Sequence, residues 1–345
     1  PVMLKAGETL VDYAHKAGMA PFESITYVSE PVVTVAVEPK NPKDIPALLT
    51  ALEKLSTEDP NLKATADKQT GEYLLSGMGE LHLEIATNQL KREFGLEVEA
   101  SAPRVVYMES VTKQGLAANA KSPNRHSSFI MQVEPELEER SVESKKENRS
   151  VLSLDEHKNM LVDCNGKTKQ ISTEVLEAII SGFEYACRAG PLCGEPARHV
   201  RVNLIDLQLN TTDSPVEIMR GVGKAIFGSF LTAKPVLLEP VYSITISVSS
   251  ELSGECSRIL TTRRGKVKGF EQKGLLTAVK GFIPVAETFG FSKELRSATS
   301  GRAIWQSIFD HWERMPEKLA AETISELRRR KGLPADVPKP EKFLE

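Results

Sequence analysis

Residues 31–60 read PVVTVAVEPKNPKDIPALLTALEKLSTEDP. The opening is rich in β-branched residues, which suit a pleated, half-buried strand. Asn41 then stands where a helix N-cap belongs, with Pro42 at the first helical position. Leu48, Leu49, Leu52 and Leu55 recur at helical spacing and predict one apolar stripe. NLKATADKQTGEYLLSG (61–77) predicts a hairpin that turns at Thr70-Gly71. GELHLEIATNQLKREFG (79–95) predicts a second helix with Leu83, Ala86, Leu90 and Phe94 on one face. LEVEASAP (96–103) closes with an alternating strand. The order is βαββαβ, the split ferredoxin-like unit.

The same order recurs downstream with different residues. EPVYSITISVSS (239–250) predicts a strand, and ELSGECSRILTTRRG (251–265) a helix closed by Gly265. KVKGFEQKGLLTAVKGFI (266–283) predicts a hairpin turning at Lys273-Gly274. AETFGFSKELRSATSG (286–301) predicts a helix with a glycine break. Between the two units, RVVYMESV (104–111) and SSFIMQVEP (127–135) read as strands around a basic loop, KSPNRH. ELEERSVESKKENRS (136–150) reads as a solvated helix face or surface insertion. A helix over 173–189, a strand over 199–209 and a helix over 214–233 follow. The tail from Pro316 predicts a last helix, stopped by Gly332 and Pro334. The fold class is α+β.

The 345 residues carry a formal net charge of −3, so the chain as a whole does not attract nucleic acid. Phosphate binding must come from local clusters, because screening limits attraction to roughly 8–10 Å. The four cysteines, with Cys187 and Cys193 in CRAGPLC, lack a second pair at zinc spacing and read as reduced thiols. No run of about 18 apolar residues exists to span a membrane. The chain starts at Pro1 without an initiator Met, the expected mark of a piece of something longer.

No self-contained active site is legible. GVGKAIFGS (221–229) has Gly-Lys, but Lys224 is followed by Ala225 and the segment lies in a helical period, so the phosphate-loop pattern fails. The six histidines are scattered, and no metalloprotease or nucleophile-elbow motif is present. Three basic clusters are better candidates, as contacts to folded RNA at separated points. TTRRGKVKGF holds Arg263, Arg264, Lys266 and Lys268 around a helix end. LRRRKG holds Arg328 to Lys331. KSPNRH offers Lys121, Asn124, Arg125 and His126. Cations at a helix C-terminus also complement its dipole, so the first two clusters carry both readings.

LNTTDSPVEIMRG (209–221) joins a strand to a helix and is built as a helix start. Ser214 is the N-cap, Glu217 completes a capping box, and Pro215 occupies the first turn. Asp213 adds negative charge near the helix N-terminus, close to where a phosphate would otherwise bind.

SEPVVTVAVEPKNPKD, SGMGELHLEI, SPNRH, AKPVLLEPV, FGFSKELRSATSGRA and PKPEKFLE together resemble the elongation factor 2 family of archaea and eukaryotes, with bacterial elongation factor G as a more distant relative. The resemblance covers essentially the whole chain and implies the family's third, fourth and fifth domains. The implied layout is a linker over 1–25, a ferredoxin-like third domain over 26–103, a ribosomal-protein-like fourth domain over 104–236 plus 312–345, and a ferredoxin-like fifth domain over 237–311. Two ferredoxin-like βαββαβ domains thus flank an α+β domain. The implied role is translocation of transfer RNA and messenger RNA, and the alternative is a paralogue that binds the ribosome for recycling, maturation or inactivation. The implied partners are the ribosome, ribosomal RNA and the transfer RNA–messenger RNA pair, bound by a cytoplasmic monomer. No cofactor is expected here. GTP and magnesium would belong to the family's GTPase domain, which makes the full-length protein an expected GTPase.

By the same resemblance, Asn124, Arg125, His126, Thr211, Thr212, Asp213 and Ser214 form the tip of the fourth domain, which enters the decoding region. Arg263, Arg264, Lys266, Lys268, Arg296 and Arg302 are RNA-contact candidates, and Glu80 and His82 belong to a third-domain motif. The family carries a histidine, modified to diphthamide, in the loop before the last tip helix. No histidine lies between Asp206 and Phe227 here, and the loop is about three residues shorter by alignment to the family.

Overall fold

The computed structural model describes residues 9–12, 20, 30–66, 71–136, 150–210 and 213–343. Most of the expected linker, Thr70, the charged stretch 137–149, Thr211 and Thr212 lie outside the described residues. The chain divides into two compact units, one made of residues 1–106 and 239–313, the other of 107–238 and 314–345.

The first module of the first unit begins with β1 (Val33–Pro39). Asn41 caps a short 3-10 turn, Pro42–Asp44, through a bond from the Lys43 N–H, and α1 (Ile45–Glu58) follows directly. Leu48, Leu52 and Leu55 are buried as expected, but Leu49 is 43% exposed and leaves the predicted stripe. The reason is angular: Leu48, Leu52 and Leu55 already define the inward line, and Leu49 lies one step around the helix. β2 (Lys63–Ala66) and β3 (Tyr73–Gly77) pair antiparallel. α2 (Glu80–Phe94) buries Leu83, Ala86 and Leu90 and ends at Gly95 in the left-handed region. β4 (Val98–Ala100) and β5 (Arg104–Val105) both pair with β1, giving the order β2-β3-β1-β4 with β5 also on β1.

The middle unit starts at β6 (Met108–Val111). β7 (Ala118–Lys121), β8 (Ser128–Pro135), β9 (Ser150–Leu154), β10 (Met160–Asp163) and β11 (Val200–Gln208) make one sheet in the order β7-β8-β11-β10-β9. Three of these strands, β7, β9 and β10, were not predicted. β10 is a four-residue, fully buried run, too short to show a period. Its Asp163 folds the next turn by accepting from the Thr168 hydroxyl at 2.7 Å and the Thr168 N–H at 2.9 Å. α3 (Thr173–Arg188) and α4 (Pro215–Thr232) pack on the sheet, with Phe129, Met131, Phe183 and Phe230 deep in the core.

β12 (Pro235–Ser249) opens with residues paired to β6 and from Val241 pairs with a later strand of the second module. That module adds α5 (Ser253–Thr262), the hairpin β13 (Lys266–Lys273) and β14 (Leu276–Pro284), α6 (Phe291–Ala298) and β15 (Ile304–Arg314). Its sheet runs β13-β14-β12-β15. The last strand follows the glycine-broken helix and is an addition to the elements expected from the sequence. The left-handed residue after α5 is Arg264 (φ 56°), not the predicted Gly265. Gly265 is needed for space, since a Cβ there would lie 2.6 Å from the Leu260 carbonyl oxygen.

α7 (Glu317–Arg330) belongs to the middle unit. Ala320 and Leu327 join Leu192, Leu237 and Met315 in a small core. Phe343, beyond the helix, meets the Phe227 ring edge-on at 5.6 Å.

Candidate nucleic-acid interface

β8 and β11 are antiparallel neighbours whose ends pair Ser128 with Gln208. The loop entering β8 and the loop leaving β11 therefore meet. Ser122, Asn124 and Ser127 fold the first loop on itself: the Ser122 hydroxyl donates to Asn124 Oδ1 at 2.6 Å, and the Ser127 N–H donates to Ser122 Oγ at 3.0 Å. The Arg125 N–H donates to the Ser122 carbonyl at 2.8 Å, and Arg125 takes a left-handed φ of 66°. The second loop is tied to the first by the Asn210 N–H, which donates to Ser127 Oγ at 2.9 Å.

The structure brings Asn124, His126 and Asp213 together. Asn124 Nδ2 donates to Asp213 Oδ1 at 2.7 Å. His126 Nδ1 stands 3.6 Å from the same oxygen, with the Asp213 side chain fully covered and the His126 ring 54% exposed. Burial alone raises the Asp213 pKa, but bonds involving Ser127, Asn124 and Ser122, and the His126 imidazole, outweigh it and hold the carboxyl below its usual range. Asp213 therefore differs from the expectation. Its carboxylate is turned into the Ser122–His126 loop and covered, rather than directed to where a phosphate would meet the N-terminus of α4. Ser214 caps α4 as expected, and the capping box with Glu217 is complete. Gly221 lets α4 approach, because a Cβ there would lie 2.6 Å from the Phe129 ring. Thr211 and Thr212 lie outside the described residues.

The remaining basic candidates separate into two kinds. Arg264 grips Glu239 with two bonds at 2.9 and 2.7 Å and Glu287 with a third at 2.7 Å. Arg263 bonds Glu294 at 2.7 Å and the carbonyls of Glu287 and Phe289 at 2.6 and 2.9 Å. Both guanidiniums hold α5 to the segment before α6, which puts them on the structural side of the two readings. Lys266 pairs with Glu313, and Lys268 lies 5.6 Å over the Phe282 ring. Arg302 pairs with Glu251 at 3.0 Å on the surface. Arg296 lies on the exposed face of α6 beside Lys293, which the sequence reading did not single out. Both line a cleft of about 1290 Å³ together with Gly79, His82, Tyr242 and Trp305.

In the Glu80–His82 motif, Glu80 is exposed at the start of α2. His82 is structural: Nδ1 accepts the Met78 N–H at 3.2 Å, so Nε2 carries the proton that Asp59 Oδ2 accepts at 2.9 Å. Burial raises the Asp59 pKa, and bonds from Asn61 and His82 more than reverse it. The Tyr242 hydroxyl donates to the Met78 carbonyl.

A fully buried carboxyl lies away from these loops. Glu109 is fully buried and accepts the N–H groups of Leu192, Cys193 and Glu195 at 2.8, 2.8 and 3.1 Å. Burial pushes its pKa up to about 7. Among the described residues no group of three or more His, Cys, Asp or Glu side chains is placed to hold a metal ion, and Lys224 lies inside α4.

Comparison with known proteins agrees with this architecture along the chain. Residues 28–102 match Elongation Factor G, domain III, residues 103–234 match Elongation factor G, domain IV, and residues 236–323 match the Elongation factor G C-terminus. Elongation factor 2 of Sulfurisphaera tokodaii is 40% identical over 370 residues, covering 99% of this chain and 50% of that protein. Elongation factor 2 of Ignicoccus hospitalis is 41% identical over 370 residues, with the same coverage. That of Staphylothermus marinus is 40% identical over 369 residues. The chain spans about half the length of the curated relatives it matches. With three consecutive family domains in order, and two ferredoxin-like modules that precede and follow a mixed-sheet unit in the sequence, the chain belongs to the elongation factor 2 family and corresponds to its C-terminal domains.

Proposed function

We propose that the chain is the ribosome-binding part of a translational GTPase that moves transfer RNA and messenger RNA during protein synthesis. The observation that carries this reading is the uninterrupted order of domain III, domain IV and C-terminal matches over residues 28–323. The Ser122–His126 loop supports it by keeping a compact, basic turn where the family's fourth domain meets the decoding region. Arg296, with Lys293 beside it on the exposed face of α6, is a cation of the second ferredoxin-like module placed to meet ribosomal RNA, since neither has an ion-pair partner among the described residues.

In this reading GTP and magnesium are held by the family's GTPase domain, and Lys224 of this chain lies inside α4. Among the described residues no helix is long and apolar enough to cross a membrane.

A second reading is a paralogue that binds the ribosome for recycling, maturation or inactivation. It is favoured by one observation: no histidine lies between Asp206 and Phe227. A translation assay of the full-length protein against an ordinary factor from the same cell separates the two. Movement of transfer RNA supports the first reading. Ribosome binding without movement supports the second, and no ribosome binding removes both.

A further inference from the structure

We propose that Asp213 is the positioning residue of the tip: its buried carboxylate holds Asn124 and His126 so that Arg125 and His126 are preset to receive an RNA backbone phosphate. The inference rests on the ribosome reading above and assigns residue roles within it.

The geometry has an unusual sense. An acid close to an RNA-binding loop ordinarily repels phosphate. Here the carboxylate is fully covered, while the ring it faces is half exposed. The negative charge lies beneath the loop and the basic edge lies outside it. Asn124 transmits the constraint. Its amide donates to Asp213 at 2.7 Å, which fixes the orientation of the amide. Its Oδ1 then accepts from the Ser122 hydroxyl at 2.6 Å and from the His126 N–H at 3.2 Å. Residues on both sides of Arg125 are thereby pinned, and Arg125 holds a left-handed conformation that a free non-glycine residue rarely adopts.

Asp213 reaches this loop across 89 residues of sequence, which couples the 122–126 turn to the start of α4. Pinning matters for affinity because a preset loop does not spend ordering entropy when it binds. The charged groups carried by the two loops and the first turn of α4 are Lys121, Arg125, His126, Asp213 and Glu217, and Glu217 is engaged by Ser214.

The sign of one substitution separates positioning from plain electrostatics. The full chain is sedimented with small ribosomal subunits over a series of salt concentrations. Asp213→Asn keeps the size of the side chain and an acceptor for Asn124, and removes the charge facing His126. Positioning predicts weaker binding, by about threefold to tenfold, and a salt slope reduced by about one phosphate contact. His126→Gln is expected to give a similar loss, and the double variant no more than either alone. Binding that is unchanged or stronger in Asp213→Asn overturns the inference, as do additive losses in the double variant. If Asp213→Asn does not fold, His126→Gln alone decides: an unchanged salt slope overturns the inference. Failure of the unchanged chain to bind overturns the ribosome reading itself and this inference with it.

Discussion

Glu109 and Arg328 hold the same loop by its two kinds of backbone group. Glu109 accepts the Leu192 N–H at 2.8 Å, and Arg328 Nη1 donates to the Leu192 carbonyl at 2.5 Å. Arg328 Nε also donates to the Pro334 carbonyl at 2.6 Å. The loop from Gly190 to Glu195 therefore links α7 to β6, the strand that carries Glu109. Gly190 is obligatory there, because a Cβ would lie 2.2 Å from the Glu109 carboxylate.

This link predicts a pH dependence. The Glu109 pKa rises from 4.5 to about 7 by burial, so the folded chain binds this proton more tightly than the unfolded chain. The stabilisation is complete below pH 4.5 and is lost as the pH rises through 7, a change on the order of 3 kcal/mol. Denaturant unfolding at pH 5 and pH 8 measures it. Glu109→Gln is expected to be less stable at pH 5, since its amide faces the Leu192 N–H, and to show a flatter pH profile. A parent-like slope in that variant assigns the pH dependence to another group.

The two kinds of arginine are separable by stability and binding. Arg264→Ala strands Glu239, whose side chain is 5% exposed, and is expected to cost about 3–5 kcal/mol. Arg296→Ala is expected to leave stability within about 0.5 kcal/mol and to lower the salt slope of ribosomal RNA binding by about one contact. Thermal unfolding paired with a binding titration checks both. A strongly destabilised Arg296→Ala, or an Arg264→Ala as stable as the parent, reverses the assignment.

Ser214→Ala is expected to cost about 0.5–2 kcal/mol, and Glu217→Ala less. The Glu217 N–H reaches Ser214 Oγ at 3.4 Å, while the Ser214 N–H donates to Glu217 Oε2 at 2.9 Å. A Ser214→Ala protein that unfolds with the parent contradicts the cap.

The sequence carried this cap because all its atoms lie within four residues of each other. The same locality explains the two helices of the first module and the Lys273-Gly274 hairpin. Distant partners were not legible. Arg263 and Arg264 read as surface cations because their acids, Glu239, Glu287 and Glu294, lie 23 to 31 residues away. Asp213 read only as negative charge near a helix N-terminus because its partner Asn124 is 89 residues away. β9 and β10 are too short for a period, and β15 alternates exposed and half-buried residues without an apolar stripe strong enough to declare itself.

Absence of a histidine between Asp206 and Phe227 predicts that the chain carries no diphthamide. Peptide mass spectrometry of protein from its own source checks this, followed by toxin-catalysed ADP-ribosylation with labelled NAD. A diphthamide-sized mass increment, or incorporated label, contradicts the placement of the 209–214 loop.

The most direct test of the ribosome reading is a chemical footprint of ribosomal RNA with and without the chain. Protection is expected at two places at once: in the decoding region of the small subunit, from the loops around His126 and Asp213, and at a second, separate stretch of ribosomal RNA, from the α6 face around Lys293 and Arg296. Both footprints should fade as salt is raised, because each rests on a few phosphate contacts. Ribosomes that show neither footprint at low salt, with the chain in excess, would contradict it.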